Sequence, residues 1–249
     1  MSEAVKLSSF DKAYKTYDDH TPVQVSTGLK LIDEFINQNI EFERVLDLGC
    51  GTGRTTQALF GAVIPKELDA VDISVLMLQQ ARTNFNREAV RYICANFDNW
   101  LPDSQCKYDL IFANMSLQWS ANLPSFLQTC FEHLNPNGQI IFTLPIASTF
   151  IELQDNWQMN DFFTVNEMYK ILQNDGFKNV MVDSERYVLD YQSESERLRS
   201  IKLTGANKVI QRSVPSQFAK LRRLIQEEKD KTYTLTYEIG FFSAQKVGD

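Results

Sequence analysis

The chain has 249 residues, of which 43% are hydrophobic and 23% charged, values that suit one globular domain with a sizeable core. Its formal net charge of −7 argues against general nucleic-acid binding. The longest apolar runs, such as "QIIFTLPIA", are too short to span a bilayer, and the N-terminus lacks an apolar signal-peptide core. Four scattered cysteines without a CxxC pair predict reduced thiols rather than a zinc site or disulfides. We therefore expect a cytoplasmic protein with no metal, nucleic-acid or membrane partner, and we expect a monomer.

Basic residues are concentrated in one segment near the C-terminus. Residues 196–231 contain ten Lys or Arg against four Asp or Glu, which leaves a net charge of −13 for the rest of the chain. A solvated helix face is the ordinary interpretation of such a segment. A docking surface for an acidic partner is the functional alternative.

Strands and helices alternate through the first 145 residues. A helix is predicted from Pro22 through "VQVSTGLKLIDEFI", since proline suits a first helical turn. Strands are predicted at "RVLDLG", "LDAVDIS", "VRYICAN", "YDLIFAN" and "QIIFTLP", with "NPNG" as the turn before the last. Helices are predicted between them at "RTTQALF", at "VLMLQQARTNF" with Ser74 as its cap, and at "LPSFLQTCFEHL". This alternation predicts an α/β fold with a doubly wound parallel sheet.

The pattern changes after Pro145. Helices are predicted at "ASTFIELQDNW" and "TVNEMYKILQNDGF", and a strand at "NVMVDSERYVLDY". Two polar helical stretches follow near residues 194–206 and 215–229. The final "TYTLTYEIGFFSAQK" alternates apolar and polar residues, which predicts a closing edge strand. No repeat or low-complexity linker interrupts the chain, so we predict a single domain with a helical elaboration.

The stretch "VLDLGCGTGR" places a glycine-rich loop between a strand and a helix. Such a loop presents backbone N–H groups at a helix N-terminus to a polar or anionic ligand. Gly49, Gly51 and Gly53, preceded by Asp47, differ in spacing from the dinucleotide fingerprint, and no P-loop lysine follows. Asp72, about twenty residues later at a strand end, can accept both hydroxyls of a ribose. A tight turn and a helix cap are the structural alternatives, but together the features predict an adenosine-binding crevice.

The two motifs D-L-G-C-G-T-G and V-D-I-S resemble the first motifs of class I S-adenosylmethionine-dependent methyltransferases. The resemblance covers residues 44–145 and includes the turn "LNPNGQIIF". It implies a Rossmann-like, seven-stranded, mostly parallel sheet with S-adenosylmethionine as the cofactor. Within one domain spanning 1–249, residues 1–40 would then form a helical cover and 44–145 the cofactor-binding core. Residues 146–249 would supply substrate-side helices and closing strands.

The same resemblance implies how the cofactor is bound. Gly49 and Gly51 should lie against its methionine and ribose portions, Asp72 should bind the ribose hydroxyls, and Met77 should pack near the adenine. The predicted cofactor-binding residues are Asp47, Gly49, Gly51, Gly53, Asp72, Ile73, Met77, Asn96, Phe97 and Asn114.

The sequence leaves two candidates for the residue that accepts a hydrogen bond from the adenine amine. In this family the third strand often ends in Gly-Asp, whereas this chain has Ala95, Asn96, Phe97 and Asp98 there. The side-chain carbonyl of Asn96 and the carboxylate of Asp98 are both candidate acceptors.

Further stretches bear on the methyl acceptor. The fourth strand ends in "NMSLQW", without the Asn/Asp-Pro-Pro-aromatic motif of many exocyclic-amine methyltransferases, and no carboxylate cluster predicts a metal-assisted enzyme. The stretches "FDKAYKTYDDHTPVQ", "NMSLQWSANLPSFL", "LRSIKLTGAN" and "YTLTYEIGFF" are similar to the malonyl-acyl carrier protein O-methyltransferases of biotin synthesis. This resemblance implies methylation of the free carboxyl of a malonyl thioester on acyl carrier protein or on coenzyme A (malonyl-CoA).

A carboxylate acceptor, with a reference pKa of about 4, needs no general base, so the site must supply alignment and a clamp. On the resemblance, Tyr17 and Gln118 are the predicted catalytic residues and Trp119 a predicted substrate-binding residue. Arg199 and Lys202 are predicted to grip the carboxylate or the phosphopantetheine phosphate. Core packing of the aromatic rings and solvent exposure of the two basic residues are the structural alternatives.

Two other functions are compatible with the same cofactor-binding motifs. One is methylation of a small free acid such as an aconitate-like polycarboxylate. The other is a non-catalytic partner subunit that only binds S-adenosylmethionine.

Overall fold

A seven-stranded sheet forms the centre of the structure. The computed structural model describes residues 11, 14, 17–36, 41–154, 158–159, 162–203, 210–211 and 232–248. The strands are β1 (Arg44–Leu48), β2 (Glu67–Asp72), β3 (Val90–Cys94), β4 (Tyr108–Asn114), β5 (Leu134–Pro145), β6 (Gln158–Met159), β7 (Lys178–Tyr191), β8 (Ile210–Gln211) and β9 (Tyr233–Gln245). The helices are α1 (Pro22–Phe35), α2 (Arg54–Val63), α3 (Val75–Asn84), α4 (Phe97–Asp103), α5 (Leu123–His133), α6 (Val165–Asn174) and α7 (Glu194–Leu203).

The strand order in the sheet is β3-β2-β1-β4-β5-β9-β7, with β6 and β8 paired separately. Strands β1 to β5 pair with one another in parallel, whereas β9 is antiparallel to both β5 and β7. The order reverses between β1 and β4, and in such sheets a crevice opens beyond the carboxyl ends of the strands at this point. The predicted doubly wound, mostly parallel sheet is confirmed.

Local hydrogen bonds explain why several helices begin where they do. The hydroxyl of Ser74 accepts the N–H of Met77 at 3.2 Å, so this residue caps α3 as predicted. Thr164 and Glu167 form a reciprocal capping box at the start of α6. These caps satisfy N–H groups that the first helical turn leaves unpaired.

Apolar side chains cover both faces of the sheet. Phe35 of α1 stacks against Phe241 of β9 at a ring distance of 6.1 Å. On the opposite face Phe142 of β5 stacks against Phe242 of β9 at 5.0 Å. Because successive strand residues point to opposite faces, adjacent buried phenylalanines show that β9 is covered on both sides.

The prediction that the last strand closes the sheet as its edge is wrong. Strand β9 lies between β5 and β7, and β7 is the edge strand. Strand β7 leaves Met181 and Val188 more than half exposed, as an edge strand can. The apolar run "GFFSA" within β9 departs from strict alternation and is typical of a strand buried on both faces.

Three other elements differ from the predictions. Helix α4 was not predicted, and Pro102 near its end obscures its pattern. The stretch "ASTFIELQDNW" contains only a 3-10 turn at Ile151–Leu153 in its described part. The predicted turn "NPNG" belongs to β5, where Asn137 takes a positive φ of 65°.

Parts of the predicted organisation fall outside the described residues. They include the helical stretch near 215–229 and most of the segment before Pro22, where the structure shows a 3-10 turn at Asp18–His20. The division into one domain with three functional parts stays a prediction. Within the described ranges, no helix has the length and apolar character needed to cross a membrane.

The central position of β9 gives a stability test. Phe242 is fully buried, and its register partner on the edge strand, Val182, is 38% exposed. Phe242→Ala should lower the free energy of unfolding by about 3–5 kcal/mol, because it removes a large buried ring. Val182→Ala should lower it by less than about 1 kcal/mol, as surface substitutions do. Urea denaturation of both variants measures this, and equal losses would contradict the assigned strand order.

Candidate functional site

A cavity opens at the carboxyl ends of the strands, where the strand order reverses. Most of the predicted site residues line it: Tyr17, Gly49, Gly51, Asp72, Ile73, Met77, Asn96, Phe97, Asn114, Gln118 and Trp119. Gln24, Met115, Ser116, Pro145, Phe150, Phe162 and Tyr237 complete the wall. The structure therefore brings together residues from both ends of the chain.

The three glycines of the loop after β1 serve different purposes. Gly49, at φ 76°, lies so close to Ser116 that a Cβ atom would stand 2.4 Å from the serine Cβ. Gly53, at φ 80°, would place a Cβ 3.0 Å from the Cβ of Ala81 in α3. Gly51, at φ 55°, has only a Tyr17 ring carbon within 4.0 Å. Two glycines thus permit close packing, whereas Gly51 leaves backbone open to the cavity.

Asp72 presents a carboxylate to the cavity from the end of β2. Its Oδ2 accepts the N–H of Gly51 at 2.9 Å, and its Oδ1 accepts the N–H of Ser74 at 2.8 Å. Burial raises the pKa of Asp72 to about 6, although these two N–H groups act in the opposite direction. A carboxylate has about four acceptor positions, so each oxygen keeps capacity for a ligand hydroxyl.

Asp47 and Gly53, both predicted to bind the cofactor, are not among the residues that line the cavity, and their role stays a prediction. Asp47 is buried beneath the loop, where it accepts the hydroxyl of Thr56 at 2.6 Å. Its burial raises its pKa to about 7. Because Thr56 belongs to α2, this bond fastens the helix to β1, while Gly53 packs against α3. Both residues support the loop from outside the cavity.

The two candidates for the adenine contact are separated by the structure. Asn96 lines the cavity and caps α4, with its side-chain oxygen accepting the N–H of Asp98 at 3.1 Å. Asp98 instead accepts the Ser120 hydroxyl at 2.7 Å and the Ala121 N–H at 2.9 Å. The carboxylate of Asp98 is therefore committed to the segment that follows β4.

The amide of Asn114 ties the N-terminal helix to the sheet. Its nitrogen donates to the Gln24 carbonyl at 2.7 Å, and its oxygen accepts the hydroxyls of Thr143 at 2.8 Å and Thr27 at 3.0 Å. Although Asn114 reaches the cavity wall, these bonds hold α1 against β4 and β5.

Two tyrosines reach the cavity from opposite ends of the chain. Tyr17 precedes α1, and burial, with Asp72 and Asp18 nearby, raises its pKa. Tyr237 of β9 is 4% exposed, its ring meets Phe150 edge-on at 4.8 Å, and burial raises its pKa too. Both phenols are protonated at neutral pH and can donate hydrogen bonds. The sequence analysis missed Tyr237, although it singled out the stretch "YTLTYEIGFF" that contains it.

Gln118 presents an acceptor at the cavity wall. Its Nε2 donates to the Met115 carbonyl at 2.7 Å, which fixes the orientation of the amide. Its Oε1 is buried and has no hydrogen-bond partner in the described part of the protein. Trp119 lies beside it and lines the same wall.

The predicted cationic clamp is not at the cavity wall. Arg199 is exposed on α7. The inward face of that helix carries the buried Ile201 and the half-buried Arg197, which pairs with Glu194 at 2.5 Å. The side chain of Lys202 lies outside the described part of the chain. Among the described residues, no Lys, Arg or His lines the cavity. No group of three or more potential metal ligands occurs in those ranges either.

Comparisons with known proteins agree with this arrangement. A family model described as a methyltransferase domain matches residues 45–138. The chain is 32% identical to malonyl-(acyl-carrier protein) O-methyltransferase 2 of Coxiella burnetii, over 96% of this chain and 94% of that protein. It is 29% identical to the protein of the same name from Ilyobacter polytropus, over 90% and 88%.

A likeness to solved structures concerns the fold alone. The plantazolicin methyltransferase BpumL, solved in complex with SAH, is 14% identical and superposes with a TM-score of 0.58. The match covers 98% of this chain and 95% of that one. It supports the sheet architecture described above.

The different surroundings of the loop glycines predict different costs of substitution. Gly49→Ala adds a Cβ that collides with Ser116, and it also strains the backbone. We expect it to lower the free energy of unfolding by at least about 2 kcal/mol. Gly51→Ala meets only the backbone strain, so its expected cost is about 1 kcal/mol. Chemical denaturation compares the two, and an equal or reversed order would contradict this account of the loop.

Proposed function

The chain belongs to the malonyl-acyl carrier protein O-methyltransferase family of S-adenosylmethionine-dependent methyltransferases, and from this premise we propose its reaction. It transfers the methyl group of S-adenosylmethionine to the free carboxyl of a malonyl thioester on acyl carrier protein, as a step in biotin synthesis. One observation above all supports this acceptor: beside the nucleoside-binding wall, the described residues that line the cavity include two phenol donors and no basic side chain. A site with hydrogen-bond donors and without a general base suits an acceptor that is already an anion.

The wall formed by the loop and by the end of β2 fits the cofactor. S-adenosylmethionine supplies a methyl group bonded to a positively charged sulfur. The open backbone at Gly51 allows close approach, and Asp72 accepts the ribose hydroxyls. Ile73, Met77 and Phe97 pack around the adenine.

Asn96 accepts the amine of the adenine ring. It is the candidate at the cavity wall, whereas Asp98 is held by Ser120 and Ala121. Asn114 contributes by holding α1 in place beside the cofactor.

Tyr17 and Tyr237 hold the acceptor. A malonyl carboxylate is ionised at neutral pH, so no residue has to remove a proton from it. The two phenols donate hydrogen bonds that orient one carboxylate oxygen for an in-line displacement. Trp119, Phe150 and Phe162 exclude water around the reacting groups, which strengthens the attraction between carboxylate and cationic sulfur.

The carrier protein is the proposed partner, with coenzyme A as the alternative carrier of the same malonyl group. Docking of this acidic partner on the basic segment 196–231 stays a prediction, because Arg222, Arg223 and most of the segment lie outside the described residues. Cytoplasmic location and a monomeric state also stay predictions.

Methyl transfer from labelled S-adenosylmethionine tests the proposed function directly. Malonyl-acyl carrier protein should be assayed beside malonyl-coenzyme A, free malonate and free aconitate. Label on the carrier-bound malonyl group supports the proposal. Label on a free acid alone would support the small-acid alternative instead.

The pKa of Asp72 predicts how cofactor binding depends on pH. The ionised carboxylate is the form that accepts two ribose hydroxyls, so affinity should fall as the pH drops through about 6. The limit is tenfold per pH unit, and binding near pH 6 should release a proton. Calorimetry with S-adenosylhomocysteine between pH 5 and 7.5 measures both effects.

Asp72→Asn supplies the control for this pH dependence. It should weaken binding by about 10- to 100-fold at pH 7.5, since a hydrogen bond to a charged group contributes about 1.5–3 kcal/mol. It should also flatten the pH profile, and any slope that remains reports Asp47, whose pKa is raised to about 7. An unchanged profile in the variant would contradict the assignment to Asp72.

Removing either phenol hydroxyl should slow methyl transfer without weakening cofactor binding. Tyr17→Phe and Tyr237→Phe should each lower kcat/KM for the malonyl thioester by about 10- to 100-fold, because a hydrogen bond to the carboxylate is lost. Tyr187→Phe is the matched control, since that hydroxyl donates to Glu185 on β7. Steady-state kinetics at fixed cofactor saturation makes the comparison. A Tyr237 variant with the turnover of the control would remove this residue from the acceptor site.

A further inference from the structure

A second cavity adjoins the first and shares part of its wall. Gln118, Trp119, Pro145 and Phe162 line both cavities. Beyond them the second cavity, here called the side groove, is lined by residues 120–124, Leu144 and Phe163. The side groove is therefore a continuous extension of the acceptor end toward the surface.

The side groove has a fixed wall with room beside it. Asp98 holds Ser120 and Ala121 by hydrogen bonds of 2.7 and 2.9 Å, and the Asn122 side chain accepts the Ser125 N–H where α5 begins. Ser120 and Ala121 bring only small side chains to the wall of the side groove. A wall with such small side chains has room for an extended chain.

Gln118 stands where the side groove leaves the main cavity. One of the two N–H groups of its nitrogen donates to the Met115 carbonyl, and this bond fixes which way the oxygen points. That oxygen is buried and has no partner among the described residues, so it calls for an N–H or O–H donor. An ionised malonyl thioester has none, because its carboxylate, carbonyl and sulfur only accept hydrogen bonds. The part of the acceptor beyond the sulfur can supply such a donor.

We propose that the side groove binds an amide-bearing thioester arm, with Gln118 Oε1 accepting the first amide N–H beyond the sulfur. This inference rests on the proposed function and assigns the part of the site that holds the thioester arm. The arm is common to acyl carrier protein and coenzyme A. Gln118 is then a positioning residue that binds the arm while the malonyl carboxylate faces the cofactor.

Two small substrates that differ in one group test the role of Gln118. The first is malonyl-N-acetylcysteamine, and the second is its ester analogue, in which oxygen replaces the amide N–H. The wild-type protein should prefer the amide by at least tenfold in kcat/KM. Gln118→Met removes the acceptor at similar volume and should reduce that preference to less than threefold. Titration with S-adenosylhomocysteine verifies that the variant is folded.

A second variant tests the side groove itself. Ala121→Trp places a large ring in the channel at an exposed position and should lower kcat/KM at least tenfold for malonyl-N-acetylcysteamine and for both natural carriers. Gly61→Trp is the matched control, since a side chain at that exposed position of α2 meets nothing within 4 Å. It should retain wild-type kinetics.

The outcomes separate the two proposals. If the wild-type protein methylates malonyl-acyl carrier protein but does not distinguish amide from ester, the assignment of Gln118 is overturned. If Ala121→Trp behaves like Gly61→Trp, or impairs only the carrier-protein substrate, the arm does not occupy the side groove. If no malonyl thioester is methylated at all, the proposed function itself fails.

Discussion

The loop after β1 is fastened to the end of β2, and the cavity depends on this attachment. The N–H groups of Gly49 and Cys50 both donate to the Val71 carbonyl, at 2.8 and 3.1 Å, and the next N–H, of Gly51, donates to Asp72. These bonds set the glycine backbone and the carboxylate in one arrangement before any ligand arrives. Such preorganisation spares the ligand the cost of ordering the loop. It also explains why a buried carboxylate is tolerated there, because two N–H groups already stabilise its charge.

The acceptor end uses a different kind of electrostatics. Its described wall carries no cationic side chain, so a bound carboxylate would find its compensating charge on the cofactor sulfur. In the proposed reaction both charges disappear together, because the sulfonium becomes a thioether and the carboxylate becomes an ester. The attraction that aligns the reactants is thus absent from the products. A fixed arginine in the wall would instead stabilise the charged carboxylate of the substrate more than the neutral ester of the product. Neutral phenols make this difference smaller.

The two halves of the site differ in how far the sequence predicts them. The cofactor wall comes from residues close together in the chain, and a glycine spacing with one acid twenty residues later predicts it. The acceptor wall joins Tyr17 to Tyr237, which meet only because β9 inserts between β5 and β7. Strand pairing of that kind is non-local: the run "GFFSA" indicates burial on both faces, but it does not say which strands lie on either side of β9. The exposed position of Arg199 has a related cause: a motif located the helix, but the rotation of the helix decides which of its side chains face inward.

The segment after β4 connects the two ends of the cavity without making them interdependent. Ser116 packs against Gly49, and its hydroxyl donates to the Leu48 carbonyl at 2.5 Å, so the start of the segment is attached to the loop after β1. Four residues later, Ser120 and Ala121 are held by Asp98 instead, and they face the side groove. Substitutions at Ala121 can therefore reshape the acceptor channel while the bonds around Gly49 persist. Under the proposed function, acceptor specificity could then change along one short segment while its first residues keep the glycine-rich loop in place.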